Sequence, residues 1–247
     1  MNRTRVVLVV IGVVLVLLVL RRGVITQGEI IFFAVLVPSI ILHEVTHGAV
    51  AYAFGDDTAA RAGRLTLNPI RHVDPFGTLI LPALLVLSNH AAFGYAKPVP
   101  VSVRRLRHPR NEGLIVSLAG PAVNVILALG AVLAIRAFAS PATVCAITSS
   151  QGPLSLGWQV LATFSFANVL LAVFNILPIP PLDGSAVVER MLPVSWWPRW
   201  LQFRQYSMPI LLVVVLLWPQ ILGHVFSPAE RLWFDLLPCR VGTPIGI

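Results

Sequence analysis

The feature that most constrains this chain is the apolar run Ile30–Phe54, which carries His43, Glu44 and His47 in its interior. A run of this length spans a bilayer as a helix, and ionisable residues inside such a span are costly and indicate function. In H-E-x-x-H on a helix, residues four apart share one face. The two histidines can therefore bind one metal ion, with the Glu44 carboxylate beside them to accept a proton from water. The alternative is a chance match in which both histidines pack in a core.

The composition is that of an integral membrane protein. Of the 247 residues, 57% are hydrophobic and only 11% are charged, which excludes an ordinary soluble domain. The net charge of +8 indicates cytoplasmic loops rather than a nucleic-acid surface, so we expect no nucleic-acid partner. The two cysteines do not form a C-x-x-C pair, which excludes a thiolate zinc site.

We predict an all-α polytopic membrane protein that forms a single domain over residues 1–247, with five to six transmembrane helices. A short membrane-associated β segment is expected at 64–68, where apolar and polar residues alternate. Segment 79–87 is too short to span and is expected to re-enter or to lie on the surface. The apolar runs that predict spans are 6–20, 30–54, 114–138, 156–177 and 208–222.

The first of these runs also has the length of a signal-peptide apolar region. Arg21 and Arg22 follow it where a small-residue cleavage site should be, which favours a short first span.

The third metal ligand must come from the few acidic residues, because zinc normally takes three protein ligands and one water. Asp183 is the leading candidate, since it directly follows span 156–177 and is preceded by Pro178, Pro180 and Pro181. The prolines end the helix, and irregular backbone at membrane depth is tolerated where it lines a cavity. Asp183 either reaches the metal or caps the next helix, a common position for Asp; the spacing leaves both open.

Three asparagines lie inside the predicted spans. Amide donors in a membrane-embedded site can stabilise the negative charge that develops during attack on a carbonyl, but intramembrane Asn also joins helices by hydrogen bonds. We expect a functional role for Asn175 and helix–helix bonding for Asn168, and we leave both readings open for Asn124.

Three motifs resemble the signatures of the site-2 protease family of intramembrane zinc metalloproteases. They are HEVTH, GPAVN at 120–124 and NILPIPPLDG at 175–184. The segments GRLTLNPIRHVDPFGTLILP and YAKPVPV resemble a compact bacterial branch of that family. The resemblance covers a core of about residues 30–190. It includes no insertion long enough for a PDZ domain and no CBS domain.

The resemblance implies a zinc metalloendopeptidase that cleaves peptide bonds in or near transmembrane segments of membrane proteins. Its partners would be a transmembrane protein substrate and the lipid bilayer, and its cofactor one Zn²⁺ per chain; no oligomeric state is indicated. The implied site comprises the zinc ligands His43, His47 and Asp183, the general base Glu44, and the supporting residues Asn124 and Asn175.

Two other functions fit parts of the sequence. A membrane metal transporter also uses broken helices and ionisable groups near the midplane, but a transport site has no need of a base such as Glu44 beside its ligands. A catalytically inactive scaffold is disfavoured because the set of ligands and base is complete.

The basic residues predict the orientation of the spans. The two histidines and Asp183 can meet only from one leaflet, so an even number of crossings must separate them. Spans 114–138 and 156–177 supply two, and 79–87 is then expected not to cross. Positive charge marks the cytoplasm, which makes the amino terminus and the active-site face cytoplasmic in a multi-pass protein of the cell membrane. Arg21, Arg22, Arg231 and Arg240 fall outside, and the cytoplasmic side holds Arg3, Arg5, Arg61, Arg64, Arg71, Lys97, Arg104, Arg105, Arg107, Arg110, Arg190, Arg199 and Arg204.

The same topology predicts on which side of the membrane the two cysteines lie. It puts Cys145 in the loop 140–155 and Cys239 in the segment after the last span, both outside, where disulfides persist. We predict that the two residues pair; the alternative is two free thiols that are too far apart to bridge.

Overall fold

The computed structural model describes residues 3–21, 26–87, 97–149 and 152–239, and these ranges contain helices and no strand. The chain divides into two compact units, residues 1–107 and 108–247. The chain is an all-α membrane protein, as the sequence predicted; its treatment as a single domain stays a prediction.

The first unit contains five α-helices, one π-helix and one 3-10 helix within its described residues. Helix α1 packs against the π-helix and α5. The elements are α1 (Arg3–Arg21), α2 (Gln27–Ala53), α3 (Thr58–Arg61), α4 (Pro69–His72), the π-helix Pro75–Ile80, α5 (Leu81–Leu87) and the 3-10 helix Val103–Arg105.

Helix α2 has a well-defined start and end. The Thr26 side chain accepts a hydrogen bond from the Glu29 N–H, and the Glu29 carboxylate accepts one from the Thr26 N–H at 2.6 Å; this capping box satisfies donors at the helix start. At the other end Gly55 has a φ of +102°, a conformation that favours glycine and lets the chain turn away. With 27 residues, the helix is about 40 Å long.

The predicted β segment 64–68 is not a strand in the structure: its backbone bends at Leu65 and Thr66. The Thr66 hydroxyl accepts from the Asn68 N–H at 3.2 Å, and the Thr66 carbonyl lies 2.8 Å from His72 Nε2. These local bonds replace a strand ladder, which needs a neighbouring strand as partner.

The second unit is built around α6 and α8, which pack closely together. Its core contains Val132 and Ile135 of α6, Ile147 of α7, and Trp233 and Leu237 at the end of α11. Its elements are α6 (Pro109–Phe138), α7 (Pro141–Ser149), α8 (Leu156–Ile176), α9 (Ser185–Met191), the 3-10 helix Val194–Trp196, α10 (Trp197–Leu217) and α11 (Pro219–Leu236).

Three described helices are long and apolar enough to cross a membrane, namely α2, α6 and α8, and α1 contains the shorter apolar stretch Val6–Val19. These helices coincide with four of the predicted spans. The fifth prediction, 208–222, is wrong in its bounds, because α10 ends at Leu217 and Pro219 begins α11. Proline fits the first turn of a helix but has no N–H with which to continue one.

Cys145 and Cys239 form a disulfide across 94 residues, with their Cα atoms 4.5 Å apart. The predicted pairing is therefore confirmed. The bridge joins α7 to the segment that follows α11, next to the core of the second unit. In that core the Trp233 indole donates to the Ser165 hydroxyl at 2.9 Å, which packs α11 against α8.

Candidate active site

Helix α2 brings the two histidines of H-E-x-x-H together. His43 and His47 are both buried, their rings meet edge to face at 87°, and their Nε2 atoms lie 3.1 Å apart. Two nitrogens that bind one tetrahedral zinc ion at about 2.0–2.1 Å lie about 3.3 Å from each other. The two imidazoles therefore fit a zinc ion as a pair of ligands.

The helix face next to this pair requires a glycine. A Cβ built at Gly48 would lie 2.6 Å from the Leu65 side chain and 2.8 Å from that of Val99, distances that real Cβ atoms do not show. The absent side chain thus lets the segments around Leu65 and Val99 approach α2 directly beside His47.

Glu44 is half-buried, and its Oε2 accepts a hydrogen bond from the Val99 backbone N–H at 2.8 Å. Glu44 could be assigned to the site from the sequence, whereas its contact with Val99 was not predicted. The sequence feature that indicates this contact is Pro-Val-Pro within YAKPVPV. Since proline has no N–H, Val99 is the one backbone N–H donor of these three residues.

Two buried charged residues hold the segment that contains Val99. Arg64 Nη2 donates to the Lys97 carbonyl at 2.6 Å, and the Asp56 carboxylate accepts from the Ser102 N–H at 2.6 Å. Burial raises the pKa of the Asp56 carboxyl, but hydrogen bonds from Thr58 and Ser102 outweigh it, so that its pKa lies below the usual value. From the sequence, Arg64 was expected only at the start of the β segment 64–68 and on the cytoplasmic side, and Asp56 was given no role.

Asp183 belongs to the second unit, in the segment between α8 and α9. It is half-buried. The N-cap position of α9 is Gly184 rather than Asp183. The Gly184 N–H donates to the Asn175 carbonyl at 2.7 Å, which folds this segment back onto the end of α8. Asp183 is therefore not the N-cap residue of α9, and its assignment as a metal ligand stays a prediction.

The three asparagines also lie in the second unit. Asn124 and Asn168 are fully buried, and the Asn124 amide donates to Asn168 Oδ1 at 2.7 Å. This bond joins α6 to α8, as expected for Asn168. The Asn175 amide donates to the Leu171 carbonyl within α8 at 2.9 Å. Roles of Asn124 and Asn175 toward a substrate stay predictions.

Comparison with known proteins identifies the family to which this chain is similar. The profile of Peptidase family M50 matches residues 136–218, which include Asn175 and Asp183. A protein of Bacillus subtilis (strain 168), named "Putative zinc metalloprotease YwhC", is 39% identical over 205 residues, which are 75% of this chain and 83% of that protein. No solved structure gives a significant match.

Two mycobacterial proteins are also similar, and both are named "Putative zinc metalloprotease Rip2". The protein of Mycolicibacterium smegmatis is 33% identical over 196 residues, which are 79% of this chain and 66% of that protein. The protein of Mycobacterium tuberculosis (strain H37Rv) is 33% identical over 199 residues, which are 80% of this chain and 70% of that protein. With this similarity, the M50 match and the H-E-x-x-H motif on an apolar helix, the chain belongs to peptidase family M50, the site-2 protease family, and is an intramembrane zinc metalloprotease.

Proposed function

We propose that His43, His47 and Asp183 bind one zinc ion per chain and that Glu44 is the general base for cleavage of a membrane protein in or near a transmembrane segment. The observation that carries this proposal is the convergence of the two histidine Nε2 atoms, 3.1 Å apart inside an apolar helix. When bound, zinc supplies a Lewis acid that polarises the scissile carbonyl and lowers the pKa of water.

The chain's own groups have the remaining tasks. Glu44 accepts the proton of the attacking water and returns it to the leaving amine. Asn175 and Asn124 are the candidate donors to the negative charge on the carbonyl oxygen. Two neutral imidazoles and one carboxylate form a donor set that catalytic zinc sites use.

The local structure of Asp183 supports its assignment as the third ligand. Asp183 does not occupy the N-cap position of α9, which is Gly184, and the segment that carries it contains three prolines that keep the backbone out of a helix. Irregular backbone of this kind at membrane depth is expected where it contributes to a site.

The substrate we propose is an apolar segment that unwinds locally, because a helix hides its carbonyls in its own hydrogen bonds. A cavity of about 250 Å³ is lined by Val37, Pro38, Ile41 and Leu42 of α2 and by Leu67 and Pro69. One of its lining residues, Leu42, directly precedes His43 in the sequence. The apolar lining suits an apolar side chain of the substrate. An unwound substrate could pair with the 64–68 backbone, which forms no strand by itself.

For the membrane topology we propose five crossings, with the amino terminus and the zinc site toward the cytoplasm. The crossings are α1, α2, α6, α8 and the consecutive helices α10 and α11, while residues 75–87 re-enter. Those residues form about 20 Å of helix, which is short of the roughly 30 Å hydrocarbon core. Basic residues support this orientation, and so does the Cys145–Cys239 disulfide, since disulfides persist outside the cytoplasm.

The test compares membrane proteomes from cells with the wild-type protein and with Glu44→Gln. We expect at least one membrane protein to accumulate uncleaved with Glu44→Gln and to be cleaved by the purified wild-type enzyme in liposomes. Glu230→Gln, the same change on α11, is the matched control and should behave as wild type. Cleavage of the same substrate by Glu44→Gln at the wild-type rate would refute the assignment of the base.

A further inference from the structure

The hydrogen bond from Val99 to Glu44 joins residues that are 55 positions apart in the sequence. Val99 lies between Pro98 and Pro100, neither of which has an N–H. The single backbone donor of this tripeptide is thus the one directed at the carboxylate of H-E-x-x-H. Its length of 2.8 Å is that of a charge-assisted hydrogen bond.

The segment 97–102, which we name the strap, is held at both of its ends. At the start, the Lys97 N–H donates to the His72 carbonyl at 2.9 Å, and the Lys97 carbonyl accepts from Arg64 Nη2 at 2.6 Å. At the end, the Ser102 N–H donates to Asp56 Oδ2 at 2.6 Å. Three residues that are far from the strap in sequence, His72, Arg64 and Asp56, therefore fix its backbone on either side of Val99.

The residues that hold the strap are buried. Arg64 is 6% exposed and Asp56 is 1% exposed. A charged side chain is expensive to bury unless it is hydrogen-bonded, and both bonds to the strap are made to backbone groups. The Val99 side chain is 7% exposed and packs against α2 at Gly48. Backbone bonds and side-chain packing thus determine the same position for the Val99 N–H.

We propose that the strap positions the general base: the Val99 N–H fixes the orientation of the Glu44 carboxylate, and Arg64 and Asp56 hold the strap in place. This inference rests on the proposed role of Glu44 as the base. With Oε2 accepting from Val99, the carboxylate presents Oε1 to take the proton from water. Val99 is accordingly a positioning residue that acts through Glu44.

Such fixation matters because a free carboxylate rotates about its side-chain bonds, whereas proton transfer requires one orientation close to the attacking water. Groups that orient metal-binding side chains typically contribute 10–100-fold to metal affinity or activity, and we take the same scale for a group that orients the base beside the metal ligands. The magnitude expected for the Val99 bond is therefore about 10–100-fold in kcat.

The first test measures hydrogen exchange of the Val99 amide and does not depend on cleavage. Because of its prolines, the peptide 97–101 contains few exchangeable amides, so the Val99 signal can be resolved. Glu44→Ala removes the acceptor and should accelerate exchange at Val99, whereas Glu44→Gln keeps a carbonyl acceptor and should leave exchange slow. Equal exchange in wild type and both variants would overturn the proposed bond.

The second test removes the donor and keeps the side chain. Replacing residue 99 with the α-hydroxy analogue of valine changes its N–H to an ester oxygen. We expect kcat to fall about 10–100-fold with KM and zinc content unchanged, because only the orientation of the base is lost. The same replacement at Val101 is the control and should change kcat less than about twofold. An equal effect at both positions, or a loss confined to KM, would contradict the positioning role.

Arg64 variants extend the test to the residue that holds the strap. Arg64→Lys keeps a donor for the Lys97 carbonyl and should retain more kcat than Arg64→Met, which has none. If Glu44→Gln cleaves substrate, the proposed base is wrong, while the exchange experiment still decides whether Val99 binds the Glu44 side chain. The two failures are therefore distinguishable.

Discussion

Gly184 lies so close to the end of α8 that a Cβ built on it would be 2.0 Å from the Ile176 carbonyl oxygen. Its φ of −60° is open to any residue, so the requirement for glycine is steric and not conformational. The close approach lets the Gly184 N–H reach the Asn175 carbonyl. Asp183 is the residue before Gly184, and its position thus depends on the missing side chain at 184.

Gly184→Ala should accordingly move the segment that carries Asp183. The added methyl group meets backbone atoms that cannot rotate away, and we expect a loss of about 1–3 kcal/mol in stability together with reduced zinc per chain. Zinc is measured by mass spectrometry of the purified protein and stability by thermal unfolding. Gly157→Ala on α8 is the control, since a Cβ there meets no described atom within 4 Å. Full zinc content in Gly184→Ala would contradict this dependence.

Substitution of the proposed zinc ligands separates metal binding from proton transfer. We expect His43→Ala, His47→Ala and Asp183→Ala each to lower zinc content and abolish cleavage, and chelation of the wild type to abolish cleavage reversibly. Glu44→Gln should keep about one zinc per chain and lose cleavage, because it removes the base and no ligand. Normal zinc content and cleavage in Asp183→Ala would remove Asp183 from the site.

The part of the site that lies within α2 could be predicted because it is local. Residues four apart on any helix share a face, so the pairing of His43 with His47 needs no tertiary information. The contact of Glu44 with Val99 joins residues 55 positions apart, and no helical or strand period relates two such residues. The strap therefore became evident only in the structure.

Two fold predictions failed for lack of tertiary context. Alternation at 64–68 indicated a strand, but a strand also needs a partner for its backbone groups, and local bonds to Thr66 replaced it. The apolar run 208–222 indicated one span, but hydropathy is insensitive to the missing N–H of Pro219, where a new helix begins. The pairing of Cys145 with Cys239 was predicted correctly because the predicted topology put both residues on one side of the membrane.

Site-specific labelling tests the proposed orientation. Arg104 is exposed on the 3-10 helix after the strap, and Ala142 is exposed on α7. A cysteine at Arg104→Cys should resist a membrane-impermeant thiol reagent in intact cells and react after lysis. Ala142→Cys, on the opposite side, should react in both. The reverse pattern would mean either that the whole topology is inverted or that residues 75–87 cross, and labelling of both in intact cells would mean that α6 does not cross between the two positions.

The low pKa of Asp56 predicts a dependence of stability on pH. Its pKa in the folded protein lies below the usual value, so its contribution is present at neutral pH and is lost as the pH falls through the folded pKa, below about pH 4. Asp56→Asn should lower the melting temperature near pH 7, and the difference from wild type should shrink toward pH 3. Asp235→Asn, a substitution at an exposed position of α11, is the control. Loss of zinc in acid should lower its melting temperature and that of the wild type equally. A difference that does not vary with pH would assign the effect of Asp56→Asn to packing.

Removal of the disulfide tests both the stability of the second unit and its side of the membrane. The bridge closes a loop of 94 residues, and the double variant Cys145→Ser/Cys239→Ser should lose about 2–4 kcal/mol, because its unfolded chain is less constrained. A reductant should lower the melting temperature of the wild type to that of the double variant and leave the double variant unchanged. If the bridge forms outside the cytoplasm, cells that lack extracytoplasmic thiol oxidation should yield protein with two reactive thiols after denaturation. Free thiols in protein from normal cells, denatured without reductant, would contradict the pairing, whereas a bridge that forms equally well in both strains would contradict the assigned side.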